Sequence, residues 1–110
     1  MKLPTFSELI HDCSIEQLSE GTAASGDLTE TWTTFAASVY CKIEPLSGKD
    51  RYWASQVQPE ATHRITLRYV SGLTAAMRVV FGSRIFHLDG PPRNLEERSE
   101  WHVCLAKEEA

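Results

Sequence analysis

Two short motifs in this chain carry ligands that zinc favours. His11-x-Cys13 and His102-x-Cys104 each place an imidazole and a thiol on one face of an extended strand. If the first and last strands paired, four ligands would converge. Zinc ligands more often come from tight turns with two to four intervening residues, so the plainer reading is core-filling cysteine beside solvated histidine. No metal and no cofactor are expected. Arg64, Thr66 and Arg68 share one face of a strand, and with Tyr40 or Tyr52 nearby they resemble the basic-aromatic face of a single-strand-binding barrel. Arginines that keep a strand soluble explain them as well. Trp53 sits in a polar connection, where a large aromatic is either a contact residue or a lid on the domain. Glu96-Glu97 reads as solvated charge. GxxxxGK[ST], GxGxxG, CxxC and HExxH are all missing, and no serine, histidine and acid are singled out as a triad. The chain reads as a non-enzyme.

The elements that would position these residues are mostly strands. Thr5-Phe6-Ser7-Glu8 resembles a capping box before a very short helix containing Leu9 and Ile10. Cys13 to Leu18 reads as a first strand and Gly21 to Asp27 as a loop. From Trp32 to Ile43, residues Phe35, Ala37, Val39, Cys41 and Ile43 alternate with polar or small residues, the period of a half-buried strand. Ala36-Ala37-Ser38 is where so long a strand would bend. Pro45 ends it.

Residues 46–60 form a connection longer than usual. Either Ser47 or Asp50 caps a helix from Gly48 to Val57, or Ser47-Gly48-Lys49-Asp50 is a hairpin tip. Thr62 to Val70 alternates Ile65, Leu67 and Tyr69 inward with Arg64, Thr66 and Arg68 outward. Two short strands, Met77 to Phe81 and Arg84 to Leu88, flank a type II′ turn at Gly82-Ser83. After Gly90-Pro91-Pro92, a last strand runs from Glu97 to Lys107 with Trp101, Val103 and Leu105 on one face. The expected core is Val39, Ile43, Ile65, Leu67, Tyr69, Val79, Phe81, Phe86 and Val103. The fold class is all-β: a small antiparallel barrel of about six strands, one domain over residues 1–110, with an N-terminal extension (1–12) and a long mobile loop (45–60).

The chain has 110 residues, 42% hydrophobic and 24% charged, which suits one compact domain. No apolar run reaches the ~20 residues of a membrane helix. Three widely spaced cysteines without a secretion signal read as reduced cytosolic thiols. Charge is segregated. Residues 1–31 hold one base against six acids, residues 32–93 hold eight bases against four acids, and residues 94–110 hold two bases against five acids. The overall charge of −4 argues against a general nucleic-acid coat. Either the acidic ends lie over the basic middle of the same fold, or the two meet across neighbouring molecules.

Several motifs together resemble the phage head–tail joining family, which includes the head-closure (stopper) proteins of long-tailed phages and their prophage relatives. They are Thr29-Glu30-Thr31-Trp32, Ile43-Glu44-Pro45-Leu46-Ser47-Gly48, Thr62-His63-Arg64-Ile65-Thr66-Leu67-Arg68-Tyr69, and Met77-Arg78-Val79 followed by Gly82-Ser83-Arg84-Ile85-Phe86. The resemblance covers roughly residues 10–107. Cys13-Ser14-Ile15-Glu16-Gln17 departs from the basic R-x-T-I-Q first strand common in that family.

The resemblance implies a small β-barrel, monomeric or weakly associated when free. It would become a ring (hexamer or dodecamer) in the virion neck after assembly in the host cytoplasm. Its implied partners are portal and adaptor proteins above, a tail-completion protein below and double-stranded DNA in the channel, with no membrane. The loop Pro45, Leu46, Ser47, Gly48, Lys49, Asp50, Arg51, Tyr52 and Trp53 would reach the channel and gate DNA. Trp32, Arg64, Arg68 and Arg84 are the subunit-interface candidates. A neighbouring neck layer, or a nucleic-acid-binding module, is the alternative.

Overall fold

The computed structural model describes residues 9–22, 24–48, 52, 53, 56 and 60–109, except the side chain of Glu96. The capping box at Thr5 to Glu8 lies outside them. Seven strands form one antiparallel sheet: β1 (His11–Thr22), β2 (Leu28–Pro45), β3 (His63–Arg68), β4 (Arg78–Phe81), β5 (Arg84–Leu88), β6 (Arg93–Asn94) and β7 (Trp101–Glu108). The order is β3-β2-β1-β4-β5-β7-β6, and β3 also pairs with β7 along its whole length. Six strands therefore close a ring. The two-residue β6 extends the β5 side of β7.

Closure buries one face of every strand in the ring. Cys13, Ile15, Cys41, Ile65, Leu67, Val79, Phe86 and Cys104 are essentially inaccessible. Val39, Ile43 and Phe81 are half-buried against them. Burying each large aliphatic or aromatic side chain contributes roughly 1.5–3 kcal/mol. Burial pushes the Cys104 thiol up to about 12. A hydrogen bond with Cys13, reinforced by burial, holds Cys41 above the ordinary thiol range. Both are inert, protonated core thiols.

Two expected core residues lie elsewhere. β3 ends at Arg68; Tyr69 follows it, still donating its N–H to the Glu100 carbonyl at 3.0 Å, and is 38% exposed. On β7 the inward residues are His102, Cys104 and Ala106, and Val103 lies half-buried on the outer face. The strand begins at Trp101 rather than Glu97 because residues 95–97 form a 3₁₀ turn. Asn94 Oδ1 accepts the Ser99 N–H at 2.9 Å and closes that turn. Thr66 is buried although it faces outward. Its cross-strand partners Lys42 and Val103, with Arg64 and Arg68 two residues away on its own strand, cover the short side chain.

β2 departs most from simple alternation. Opposite β1, its register slips between the Cys13↔Val39 and Ile15↔Ala36 pairs and again before Glu16↔Thr34, each time by one extra residue on β2. Ser38 takes φ 53°, a left-handed conformation rare outside glycine. The slip exchanges faces: Ala36 packs on the core and Ala37 is exposed, the reverse of uniform alternation. The bend thus falls within Ala36-Ala37-Ser38. Gly72 (φ 87°) lets the following loop pass over Phe35, whose ring would lie 3.3 Å from an added Cβ. Gly82 has φ 61° while Ser83 does not enter the positive region, as a type II′ turn requires.

Beyond the slips β1 and β2 run on as a two-stranded ribbon of seven further pairs, from Glu16↔Thr34 to Thr22↔Leu28. β4 contacts β1 only at Ser14–Glu16, and β3 contacts β2 only at Cys41–Pro45. Among the described residues, no other strand therefore lies beside residues 17–22 or 28–33. The result is an elongated molecule of 53 × 27 × 27 Å with a radius of gyration of 14.9 Å, against ~13 Å for a compact chain of this length.

Two predictions follow from this framework. Valine is the better strand former, yet Ser38→Val should destabilise by ~1–2 kcal/mol, because a β-branched residue resists positive φ. Urea unfolding midpoints of the two proteins test this. Burial lowers the pKa of both His63 and His102. His102 Nδ1 also accepts the Val70 N–H at 3.2 Å, which requires the unprotonated nitrogen. The unfolded chain then binds more protons, so stability is complete above the unfolded value near ~6.5 and falls as pH drops below it. Thermal unfolding from pH 8 to pH 5 should show this decline, and it should be shallower in His102→Gln.

Candidate functional site

The ribbon is anchored to the closed sheet at its root. Glu16 on β1 lies opposite Arg78 on β4, which lies opposite His87 on β5. Arg78 Nε donates to Glu16 Oε1 at 2.8 Å, and a terminal guanidinium nitrogen approaches the same oxygen at 2.7 Å. The guanidinium carbon lies 4.1 Å from the centre of the Trp32 ring, which also meets His87 edge-on at 5.8 Å. A charge-assisted pair and a cation–π contact thus hold both strands of the ribbon, Glu16 on one and Trp32 on the other. Trp32, expected at a subunit interface, is half-buried in this clamp.

Past the clamp the ribbon's two faces differ. One carries Gln17, Ser19, Gly21, Thr29, Thr31 and Thr33, all uncharged. The other carries Leu18, Glu20, Thr22, Leu28, Glu30 and Trp32, with Leu28 82% and Leu18 39% exposed. Glu20 and Glu30 are direct cross-strand partners, an arrangement in which like charges repel. By composition Gly21 to Asp27 reads as a loop and the second strand begins at Trp32, whereas in the structure residues 16–22 pair with residues 28–34 as the ribbon. The β-branched run Thr29-Glu30-Thr31-Trp32-Thr33-Thr34 was the available signal.

A second surface lies on the outer faces of β2, β3, β7 and β6. Lys42, Thr66, Val103 and Arg93 form one continuous cross-strand row. Arg64 and Leu105 form the neighbouring pair, with Arg68 at the strand end. Glu44 stands among these bases, 3.5 Å from Arg64 and 3.7 Å from Lys42. Tyr40, 54% exposed, shares the outer side of β2 with Lys42. Arg84, another expected interface residue, forms a fork with Glu108 at 2.7 and 3.1 Å. The C-terminal acids thus offset bases of their own fold: Glu108 at Arg84 and Glu109 at His87, 3.1 Å away.

The long connection is closed at its base. Leu46 is buried and its N–H donates to the Thr62 carbonyl at 2.9 Å, beside buried Ala61. Tyr52 and Trp53 have helical backbone, while most of the segment on which the helical and hairpin alternatives differ lies outside the described residues. They are 62% and 56% exposed, with their rings edge-to-face at 5.5 Å. Lys49, Asp50 and Arg51 lie outside the described residues. The two His-x-Cys motifs do not converge, because β1 pairs with β2 and β4, whereas β7 pairs with β3, β5 and β6. His11 Nδ1 instead accepts the Ile43 N–H at 3.4 Å. No cluster of three metal-ligating side chains exists among the described residues, and no described helix is long and apolar enough to cross a membrane.

A closed antiparallel sheet with an outstanding two-stranded ribbon and an exposed aromatic pair, Tyr52 and Trp53, defines a small all-β domain. Over residues 5–109 the chain matches the phage head completion protein family, and it belongs to that family. It is therefore a phage structural protein of head completion and not an enzyme, and membership points to the neck of the virion. The fold is similar to the solution structure of protein SF1141 from Shigella flexneri 2a, with a TM-score of 0.75 and 17% identity over 94% of this chain and 96% of that one. No curated protein matches the chain.

Removing the clamp should free the ribbon without unfolding the ring. Arg78→Ala leaves the Glu16 carboxylate without its partner and is expected to destabilise by ~1–3 kcal/mol. Amide exchange should accelerate at residues 17–22 and 28–33 far more than at Ile65 or Leu67.

Proposed function

We propose that this protein assembles as a ring in the virion neck, closes the DNA-filled head and offers the surface on which the tail attaches. The observation that carries the reading is membership of the head completion family over nearly the whole chain. Two features of the fold support it. The ribbon leaves the closed sheet and exposes Leu28, and Tyr52 and Trp53 in the connection after β2 are more than half exposed. Such segments suit a subunit that meets several neighbours, because each contact in a closed ring joins two different patches.

In this reading the connection from Pro45 to Trp53 faces the channel, where it orders against neighbouring copies and retards DNA exit. Portal and adaptor proteins lie above the ring and a tail-completion protein below it. Subunits are made and recruited in the host cytoplasm. Arg64, Arg68 and Arg84 lie at or near subunit boundaries.

A second reading is favoured by one observation, the exposed Tyr40 beside Lys42 on the same outer side as Arg64 and Arg68. It makes that face a single-strand-binding surface, with affinity that falls steeply with salt. A flat titration with oligonucleotides at low salt removes it.

Phage lacking the protein should fill heads that lose DNA and fail to join tails. DNA-retaining, tailed particles from such a deletion would overturn the ring reading. Trp53→Ala should leave the thermal midpoint of the free subunit within a degree or two, as expected for an exposed side chain, while lowering DNA retention. A large loss of thermal stability would place Trp53 in the core instead.

A further inference from the structure

The ribbon presents a physical problem that the isolated subunit does not solve. Two strands without further neighbours are marginally stable in water. This pair also sets Glu20 against Glu30 and exposes Leu28 and Leu18 on the same face. Residues 17–33 contain three acids (Glu20, Asp27 and Glu30) and no base. Among the described residues none forms an ion pair with Glu20 or Glu30; Asp27 accepts a hydrogen bond from Ser25 at 3.1 Å. A partner for this face must supply positive charge and some apolar surface together.

The same chain carries such a surface out of its own ribbon's reach. The outer faces of β2, β3, β7 and β6 bring Lys42, Arg64, Arg68 and Arg93 around half-buried Val103 and Leu105. Glu44 neutralises part of this charge, and Lys42, Arg64 and Arg68 each make a further interaction within their own fold, so a docking partner competes with those contacts. Arg93 lies at the margin and is exposed. The ribbon is anchored on the β1–β4–β5 side by Glu16, Arg78 and Trp32, and the molecule is 53 Å long. Seven pairs make the ribbon ~20 Å long, comparable with the length of β3 and β7.

We propose that the acidic, leucine-bearing face of the 17–33 ribbon docks on the outer face of β3 and β7 of a second copy of this chain. Glu20 and Glu30 meet Arg68 and Arg93, and Leu28 covers Val103 or Leu105. The contact joins two different patches, so it propagates from copy to copy and closes where the rotation allows. It rests on the ring reading above and names the surfaces that build the ring. Repulsion between acidic faces disfavours ribbon-on-ribbon pairing, which leaves ribbon-on-body as the complementary arrangement.

The test uses charge reversal in the whole chain, followed by sedimentation equilibrium at up to millimolar concentration in low salt. The unaltered protein should self-associate, and high salt should weaken that association. Glu20→Lys/Glu30→Lys and, separately, Arg68→Glu/Arg93→Glu should each reduce the association constant at least about tenfold while circular dichroism stays native. An equimolar mixture of the two should recover it, because each variant's ribbon then matches the other's body. A chain carrying all four changes should recover it as well.

A protein that stays monomeric at every concentration would overturn the proposal. So would a ribbon variant that associates as well as the original, or a mixture that fails to recover. Binding of the ribbon to a different neck protein alone would overturn it too. The ring reading is judged separately, in phage. If the four-change chain associates but its heads leak DNA, the contact stands and the head-closing role falls.

Discussion

A strand of 18 residues cannot stay inside a body only 27 Å across, and the two extra residues that β2 takes on opposite β1 decide where it leaves. On the body side of the slips β2 is a wall of the closed ring, paired with β1 and β3, and it sends Val39, Cys41 and Ile43 toward the core. On the far side it has only β1 for company. Each slip inverts the side-chain alternation, and Ser38 holds the backbone in the left-handed region that makes the turn. Without that irregularity one strand could not serve both a packed body and a free-standing ribbon.

The clamp completes what the slips begin. A two-stranded ribbon has little hydrophobic area of its own, so its direction depends on how its root is held. Arg78 takes hold of both strands, one by charge and one by the face of a tryptophan. The contact is half-sheltered, which strengthens it relative to a fully solvated pair. The ring's closure by β3 and β7 supplies the rigid platform behind it.

The body was legible in the sequence because it obeys period two. Ile65 and Leu67 on β3, and Val79 and Phe86 around the Gly82-Ser83 turn, all point inward as their alternation with polar residues requires. Alternation failed where another force overrode it. The β7 reading chose the more hydrophobic set, Trp101, Val103 and Leu105, but inside a small ring the small Cys104 and Ala106 pack where larger groups would collide. Tyr69 alternates correctly and yet stays partly exposed, because it lies just past the end of β3, where the body no longer covers it. The ribbon escaped notice because threonine, glutamate and glycine in an exposed hairpin resemble loop composition. Only the cross-strand pairing distinguishes the two, and one strand read alone does not reveal it. The segregation of charge allows contacts within one fold or between neighbouring molecules, and the structure shows the first at its C-terminal acids. Glu108 and Glu109 settle on bases of their own fold, whereas Glu20 and Glu30 stand apart.

Ring closure has one more consequence. A sheet that meets itself hides its lateral backbone groups, and among the described residues of the body the two-residue β6, preceded by two prolines, is left at the margin. Among the described residues, strand edges without a second neighbouring strand therefore run mainly along the ribbon. Those threonine-rich edges are an aggregation hazard in a subunit without partners. Glu20 opposite Glu30 weakens the hairpin slightly, and in exchange it acts as a gatekeeper: stacked copies would bring a column of carboxylates together at ~4.8 Å intervals, a geometry that anions resist.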